Sequence, residues 1–374
     1  MKIKPQLCIQ ILLLTIFGLA WFQIAAGQEV SNAEKAFQEG RVYFARRNYD
    51  AAIEAFKKAI TQNGKYAEAH YYLGLAYTRK SLWSQAVPAF QQAIDSREGN
   101  VYPEALLGLA GCSYFQRDFA AAIAQCQKAI EQRGASTPFA SAYNLLGLAH
   151  LQRTEYGPAA DAFRQATQQQ TPYPDALCSL GDSLWLQSSR ASADSPTGLM
   201  IDRAWDEQKV KEAIAAYQKA IEQQATFARA HRQLGIALIG VNPEQARQEL
   251  GAFVQSDPNS RDVPWVQQAI KDLKQLSEFH RCDEPGMEEI KLVNPPTLEL
   301  PDKVKAGQIE GAVELGAVFG ADGKVRAVHV IKGLAAEVDD KAIDIVRNLK
   351  FEPMMKNGQP VSVLNTVRIT YKSK

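Results

Sequence analysis

"AFQEGRVYFARRNYDAAIEAFKKAI" (36–60) is echoed 34 residues further on by "HYYLGLAYTRKSLWSQAVPAFQQAI" (70–94). Gly40, Tyr43, Ala52, Phe56 and Ala59 in the first stretch match Gly74, Tyr77, Ala86, Phe90 and Ala93 in the second. Packing explains the choice of residues. Small side chains let two antiparallel helices approach closely, and the aromatics fill the gap to the next hairpin. A fixed period of this length is the mark of a stacked helical array.

Further units follow with departures. In the third, Ala110, Ala122 and Ala129 hold the small positions and Cys126 replaces the aromatic; the fourth has Gly147, Ala159, Phe163 and Ala166. The fifth opens at "PDALCSLG" and resumes with Ala213, Tyr217 and Ala220, after an insertion at about 186–209 that reads as a surface loop. The sixth has Gly235, Ala246 and Pro258, and 261–279 reads as a capping helix with a polar outer face. The pattern over 33–260 resembles the tetratricopeptide repeat family, in six units. That resemblance implies an α-solenoid whose first helices line a groove for a peptide or helix. The family's groove positions fall here on Phe37, Arg41, Phe44, Tyr71, Arg79, Tyr114, Asn144, Asp182 and Trp185. Such a stripe also serves as packing between helices. The basic and Asn residues of the family's carboxylate-clamp subtype are missing, so capture of a C-terminal carboxylate is not expected.

After the array the period changes. Pro285, Pro295 and Pro296 break any helix, and 280–300 reads as a linker. "IEGAVELGAVFGADGKVRAVHVIKG" (309–333) alternates apolar and polar residues about Asp322-Gly323, the pattern of a β-hairpin. "AEVDDKAIDIVRNLKF" (336–351) is helical, with Val338, Ala342, Ile343, Ile345, Val346 and Leu349 on one face. "PVSVLNTVRITY" (360–371) is a last strand. The order predicts a small ββαβ domain over 301–374, so the chain is multidomain: an α part followed by an α+β part.

Pro301, Ile309-Glu310-Gly311, Asp322-Gly323 and Phe351-Glu352-Pro353 give this domain a resemblance to the C-terminal domain of the TonB energy-transducer family. The resemblance implies a periplasmic domain whose last strand pairs with an extended segment of an outer-membrane receptor. The pairing edge would then be Val361, Val363, Asn365, Val367, Ile369 and Tyr371. A terminal, β-rich strand at a sheet edge either recruits a partner or needs protection. The family's energy-coupled members carry Ser and His in an N-terminal membrane helix and a Pro-rich spacer after it. Residues 1–27 contain neither Ser nor His, and the repeat array stands where the spacer would be.

Lys2 and Lys4 precede an apolar run from Leu7 to Ala26, and Ala25-Ala26-Gly27 offers small residues for cleavage. The segment 1–27 is expected to be a signal peptide or an N-terminal membrane anchor; either way the remainder is exported to the periplasm, soluble or tethered to the inner membrane. The formal charge of the 374-residue chain is +1, which gives no general attraction to nucleic acid. Cys112, Cys126 and Cys178 lie in apolar helical stretches and read as small buried residues. No phosphate-binding loop, nucleophile elbow, dinucleotide fingerprint or metal-ligand spacing occurs. His280 and Cys282 are close, but two ligands do not make a metal site. The expectation is a non-enzymatic adaptor without cofactor or catalytic residues, binding one protein through its repeats and another by strand addition. Two alternatives stay open: a membrane-anchored energy transducer for receptor-mediated transport, and an envelope assembly scaffold.

Overall fold

The computed structural model describes residues 32–134, 137–188, 199–201, 206–275, 280–281, 284–288, 290–293, 301–307, 309 and 311–371. The N-terminal segment 1–27, most of the insertion and part of the stretch 280–300 lie outside the described residues. The chain divides into two compact units, one ending at Arg153 and the other starting at Thr154.

The first unit holds α1 (32–45), α2 (Tyr49–Gln62), α3 (Ala67–Arg79), α4 (Trp83–Asp95), α5 (Pro103–Phe115), α6 (Phe119–Arg133) and α7 (Ala140–Gln152). The turn inside each hairpin repeats one device. Arg47, Ser81 and Arg117 take positive φ of 58°, 59° and 65°, which ends one helix and reverses the chain within a few residues. Asn48 and Asp118 then cap the next helix, their Oδ1 atoms accepting from the Ala51 and Ala121 amides at 3.3 and 3.0 Å. Ala52, Phe56 and Ala59, with Ala86, Phe90 and Ala93, are fully buried. A Cβ added at Gly40 would stand 2.5 Å from the Phe56 ring, so the small residue is required by the close approach.

The second unit begins with α8 (Tyr156–Gln169), α9 (Pro174–Ser188), α10 (Glu207–Gln223), α11 (Ala228–Leu238), α12 (Pro243–Ser256) and α13 (Val263–Gln275). Ala159, Phe163, Ala166, Ala213, Tyr217, Ala220 and Ala246 are buried as the repeat pattern requires. Asp182 on α9 gathers polar groups from α10 and α11. It accepts from Tyr217 Oη at 2.9 Å and Gln233 Nε2 at 2.7 Å, and pairs with Arg229.

The same unit contains β1 (Leu199–Ile201), β2 (His280–Arg281), β3 (Lys291–Leu292), the short α14 (Asp302–Lys305), β4 (Gly311–Phe319), β5 (Val325–Lys332), α15 (Ala336–Arg347), β6 (Phe351–Glu352), β7 (Met355–Lys356), β8 (Gln359–Pro360) and β9 (Val363–Tyr371). The ββαβ order expected from sequence is β4, β5, α15, β9. β4 pairs antiparallel with both β5 and β9. Gly323 turns the β4–β5 hairpin at φ +74°, and Asn357-Gly358, both at positive φ, turn β7 into β8. α15 covers one sheet face. Val338, Ala342 and Val346 pack there with Val313, Leu315, Phe319, Val367 and Ile369.

Two expectations change. The stretch read as a linker contributes β2, which pairs with β9, and β3, which pairs with β6. Proline stops a helix but leaves flanking amides free to pair, and the Val293 amide donates to Lys350 O at 2.9 Å. The capping helix α13 exposes Gln267, Gln268, Lys271 and Lys274, but its other face does more than close the stack. It packs on β5, where the Trp265 ring stacks against His329 at 6.1 Å.

Candidate protein-interaction site

β9 is the strand on which the expected function depends, and its surroundings were not foreseen. It is not a free edge. On one side it pairs with β4 in unbroken register, from Gly311 opposite Tyr371 to Phe319 opposite Val363. On the other side β1 pairs antiparallel, with Leu199, Met200 and Ile201 opposite Ile369, Arg368 and Val367. β2 pairs on that same side in the parallel sense, with His280 and Arg281 opposite Val363 and Leu364.

The residues expected to form the edge also present differently. Val363, Val367, Ile369 and Tyr371 are fully buried and Asn365 nearly so. Val367, Ile369 and Tyr371 belong to the core under α15, and Val361 is half-buried just before the strand. Their main-chain groups point toward β4. The His280 amide donates to Ser362 O at 2.9 Å, so the outer edge takes the main chain of even-numbered residues. With an unbroken register this alternation carries on to Leu364, Thr366, Arg368 and Thr370. The expected odd-numbered set therefore builds the core, and the even-numbered set presents the pairing groups. A two-residue period fixes which residues share a face; it does not say which face is inside.

The sheet's second face rests on repeat helices. Glu314 on β4 is buried, accepting from Tyr156 Oη of α8 at 2.6 Å and pairing with Arg368 of β9 at 3.2 Å. Burial pushes the Lys332 ammonium down, opposed by the attraction of Glu314. Gly240, beyond α11, touches Leu364 so closely that an added Cβ would lie 2.8 Å from its Cδ2. Beside it lies an apolar cavity of about 180 Å³ lined by Trp185, Val210, Ile214, Val241 and Leu364 among others. The opposite end of the sheet is closed too. Ala327 adopts φ +48° at a shift in the β4–β5 register, and its amide donates to Asp272 Oδ2 of α13 at 3.0 Å. An acceptor from a neighbouring helix thus occupies one donor of the β5 edge.

The expected groove residues divide by burial. In the first unit Arg41 and Arg79 are exposed, while Phe44, Tyr71, Tyr114 and Asn144 are half-buried. The Arg41 guanidinium lies 5.9 Å from the Phe37 ring and 5.8 Å from the Tyr72 ring, an arrangement that favours cation–π attraction. Phe37 is buried among Phe56, Tyr66 and Tyr72. In the second unit Asp182 and Trp185 are buried as well. These three hold helices together and present no open groove surface. Asp182 has its own structural use as the acceptor for Tyr217, Gln233 and Arg229, a role its sequence position did not reveal.

Among the described residues no cluster of three His, Cys, Asp or Glu could hold a metal ion. Cys112, Cys126 and Cys178 are free and buried. Burial pushes the thiols of Cys112 and Cys126 up to about 11 and about 12, and raises that of Cys178 further. No described helix is long and apolar enough to cross a membrane.

The fold and the site define a helical-repeat protein whose array is followed by a ββαβ domain. Comparison finds a family match within each part. Residues 37–101, 79–141 and 114–175 match the tetratricopeptide repeat, and residues 296–373 match the Gram-negative bacterial TonB protein C-terminal family. Among solved structures, one described as a functional characterization of Pseudomonas aeruginosa pilF is 16% identical, with a TM-score of 0.52 over 64% of this chain and 98% of that one. PilW, described as a widely conserved type IV pilus biogenesis factor, is 15% identical, with a TM-score of 0.52 over 63% and 98%. The Cut9-Hcn1 hetero-tetramer of APC/C is 14% identical, with a TM-score of 0.50 over 64% of this chain and 43% of that chain. At these identities the likeness is one of fold. No curated protein matches the sequence.

Proposed function

We propose that this protein is an exported, non-enzymatic adaptor. Its repeats hold one protein partner, and the β9 edge recruits an extended segment of a second by strand addition. One observation carries the reading. The outer edge of β9 already accepts main-chain pairing from two short segments, β1 antiparallel and β2 parallel. An edge that takes strands in either direction is suited to an added strand whose side chains contribute only modest selectivity. The resemblance to TonB makes an outer-membrane receptor segment the class of second partner. The Lys2, Lys4 and Leu7–Ala26 pattern supports export, with the N-terminal segment either removed or kept as an inner-membrane tether. Exposed Arg41 and Arg79, beside half-buried Phe44, Tyr71 and Tyr114, favour an acidic and aromatic or aliphatic peptide in the first unit.

A second reading is favoured by the same geometry. Because β9 is paired on both sides, the C-terminal domain would serve only as packing within an assembly scaffold. A transducer driven by a motor has less support, since residues 1–27 lack the Ser and His its relatives use. A photo-crosslinking residue placed at Arg41, and separately at Thr370, in the full chain inside its native cell tests the choice. The adaptor reading expects different adducts at the two positions. Thr366→Pro, which removes an outward amide, should abolish the Thr370 adduct and leave the Arg41 adduct intact. Adducts at Arg41 alone would favour the scaffold, and none at either position would refute the adaptor.

A further inference from the structure

We propose that β1 is a built-in occupant of the β9 edge, holding the place of a partner strand that must displace it to bind. This rests on the strand-addition reading above and adds its regulation and the chemistry of the segment that would replace β1.

Met200 lies opposite Arg368, one of the even-numbered residues whose main chain faces outward, so β1 uses the groups an added strand would need. Leu199, opposite Ile369, is buried in the core shared with Val367, Ile369 and Tyr371. A displacing segment must refill that position, which calls for an antiparallel strand with a bulky aliphatic residue opposite Ile369.

β1 lies between Ser188 and Asp206, and these two residues meet: the Asp206 amide donates to Ser188 O at 2.9 Å. Asp206 also caps α10, accepting from the Lys209 amide at 3.2 Å. The α9–α10 hairpin is further held by Tyr217 on Asp182. It is therefore closed at the base of the insertion by contacts that do not involve β1. β2 is different. His280 and Lys356 both bind Glu284, at 3.0 and 2.6 Å, which ties β2 to the C-terminal domain. Of the two segments on the edge, β1 is the one flanked by a hairpin that is closed by contacts of its own.

A strand of three residues pairs weakly on its own. Attachment to the same chain gives it a high effective concentration, so it excludes weak strands and yields to a longer, better-anchored one.

The test uses the full chain and a fluorescent synthetic peptide of residues 196–204, PTGLMIDRA, as the probe. A Leu199→Ala/Met200→Pro variant should bind the peptide at least about tenfold tighter than the unaltered chain. Leu199→Ala alone should lie between the two. In the double variant the Arg368 amide should exchange its hydrogen faster, and the peptide should restore protection. Equal peptide affinity for variant and unaltered chain, with unchanged Arg368 exchange, would overturn the proposal. Faster exchange without any peptide binding would instead refute strand addition itself, leaving β1 as an ordinary sheet strand.

Discussion

Acidification should loosen the C-terminal sheet through one side chain, His329. The imidazole is fully buried on β5, stacked against Trp265, with Nδ1–H donating to Ala327 O at 2.8 Å. Its Nε2 lies where a Cβ on Gly316 would come within 2.1 Å, so the ring is pressed onto the β4 backbone. Burial lowers its pKa from 6.5 to about 4, the Ala327 carbonyl opposes this, and the Arg232 charge adds to it. The folded state thus takes up the proton later than the unfolded state as pH falls. Stability is complete above the unfolded value, declines between 6.5 and about 4, and loses nothing more from this group below that. At about 1.4 kcal/mol per pKa unit, the full loss is about 3 kcal/mol. Repeat arrays need not unfold in one step, so the opening free energy should be read from amide exchange in β4 and β9. His329→Gln keeps a donor and removes the titration, so its sheet amides should lose about 3 kcal/mol less protection than the parent's between about pH 7 and about pH 4. Parallel pH profiles for the two proteins would refute the reasoning.

Three further predictions concern the repeats. Asp182→Asn leaves Arg229 without its counter-charge beside the buried Tyr217 hydroxyl; with a discount because Arg229 is about a third exposed, chemical denaturation should show a loss of about 2 kcal/mol in the second unit. Gly181→Ala puts a methyl 2.4 Å from the Tyr217 ring and should cost about 1–3 kcal/mol. Gly111→Ala, with nothing within 4 Å, should instead gain up to about 1 kcal/mol in the first unit, read by chemical denaturation as well. Cys112, Cys126 and Cys178 should resist iodoacetamide in the native protein and react only once denaturant is added, as followed by intact mass.

Much of the fold was legible because its contacts are local and repeated. Gly40 against Phe56 and Gly181 against Tyr217 join helices adjacent in sequence, so the spacing of small and aromatic residues encodes the hairpin directly. Asp322-Gly323 announced its turn because positive φ restricts the residue choice. The left-handed turns at Arg47, Ser81 and Arg117 carried no such signal, since neither Gly nor Asn marks them. Within the site, the sequence named β9 and its alternation but reversed the roles of the two residue sets. Phe37, Asp182 and Trp185 occupy groove positions by spacing, and their burial depends on neighbours that spacing does not report.

The sequence by itself determined the repeats, the ββαβ order and the identity of the last strand, because each rests on periodicity or turn chemistry within a few tens of residues. Only the tertiary structure decided that β9 is not an open edge. Leu199–Ile201 reach it from far upstream, and three residues are too few to express a period. Main-chain pairing also asks little of side-chain identity, so no residue type in that segment reveals its partner. The same holds for α13 and Asp272 on β5: an acceptor finds a strand amide through the packing of two elements, which neither element's sequence specifies alone.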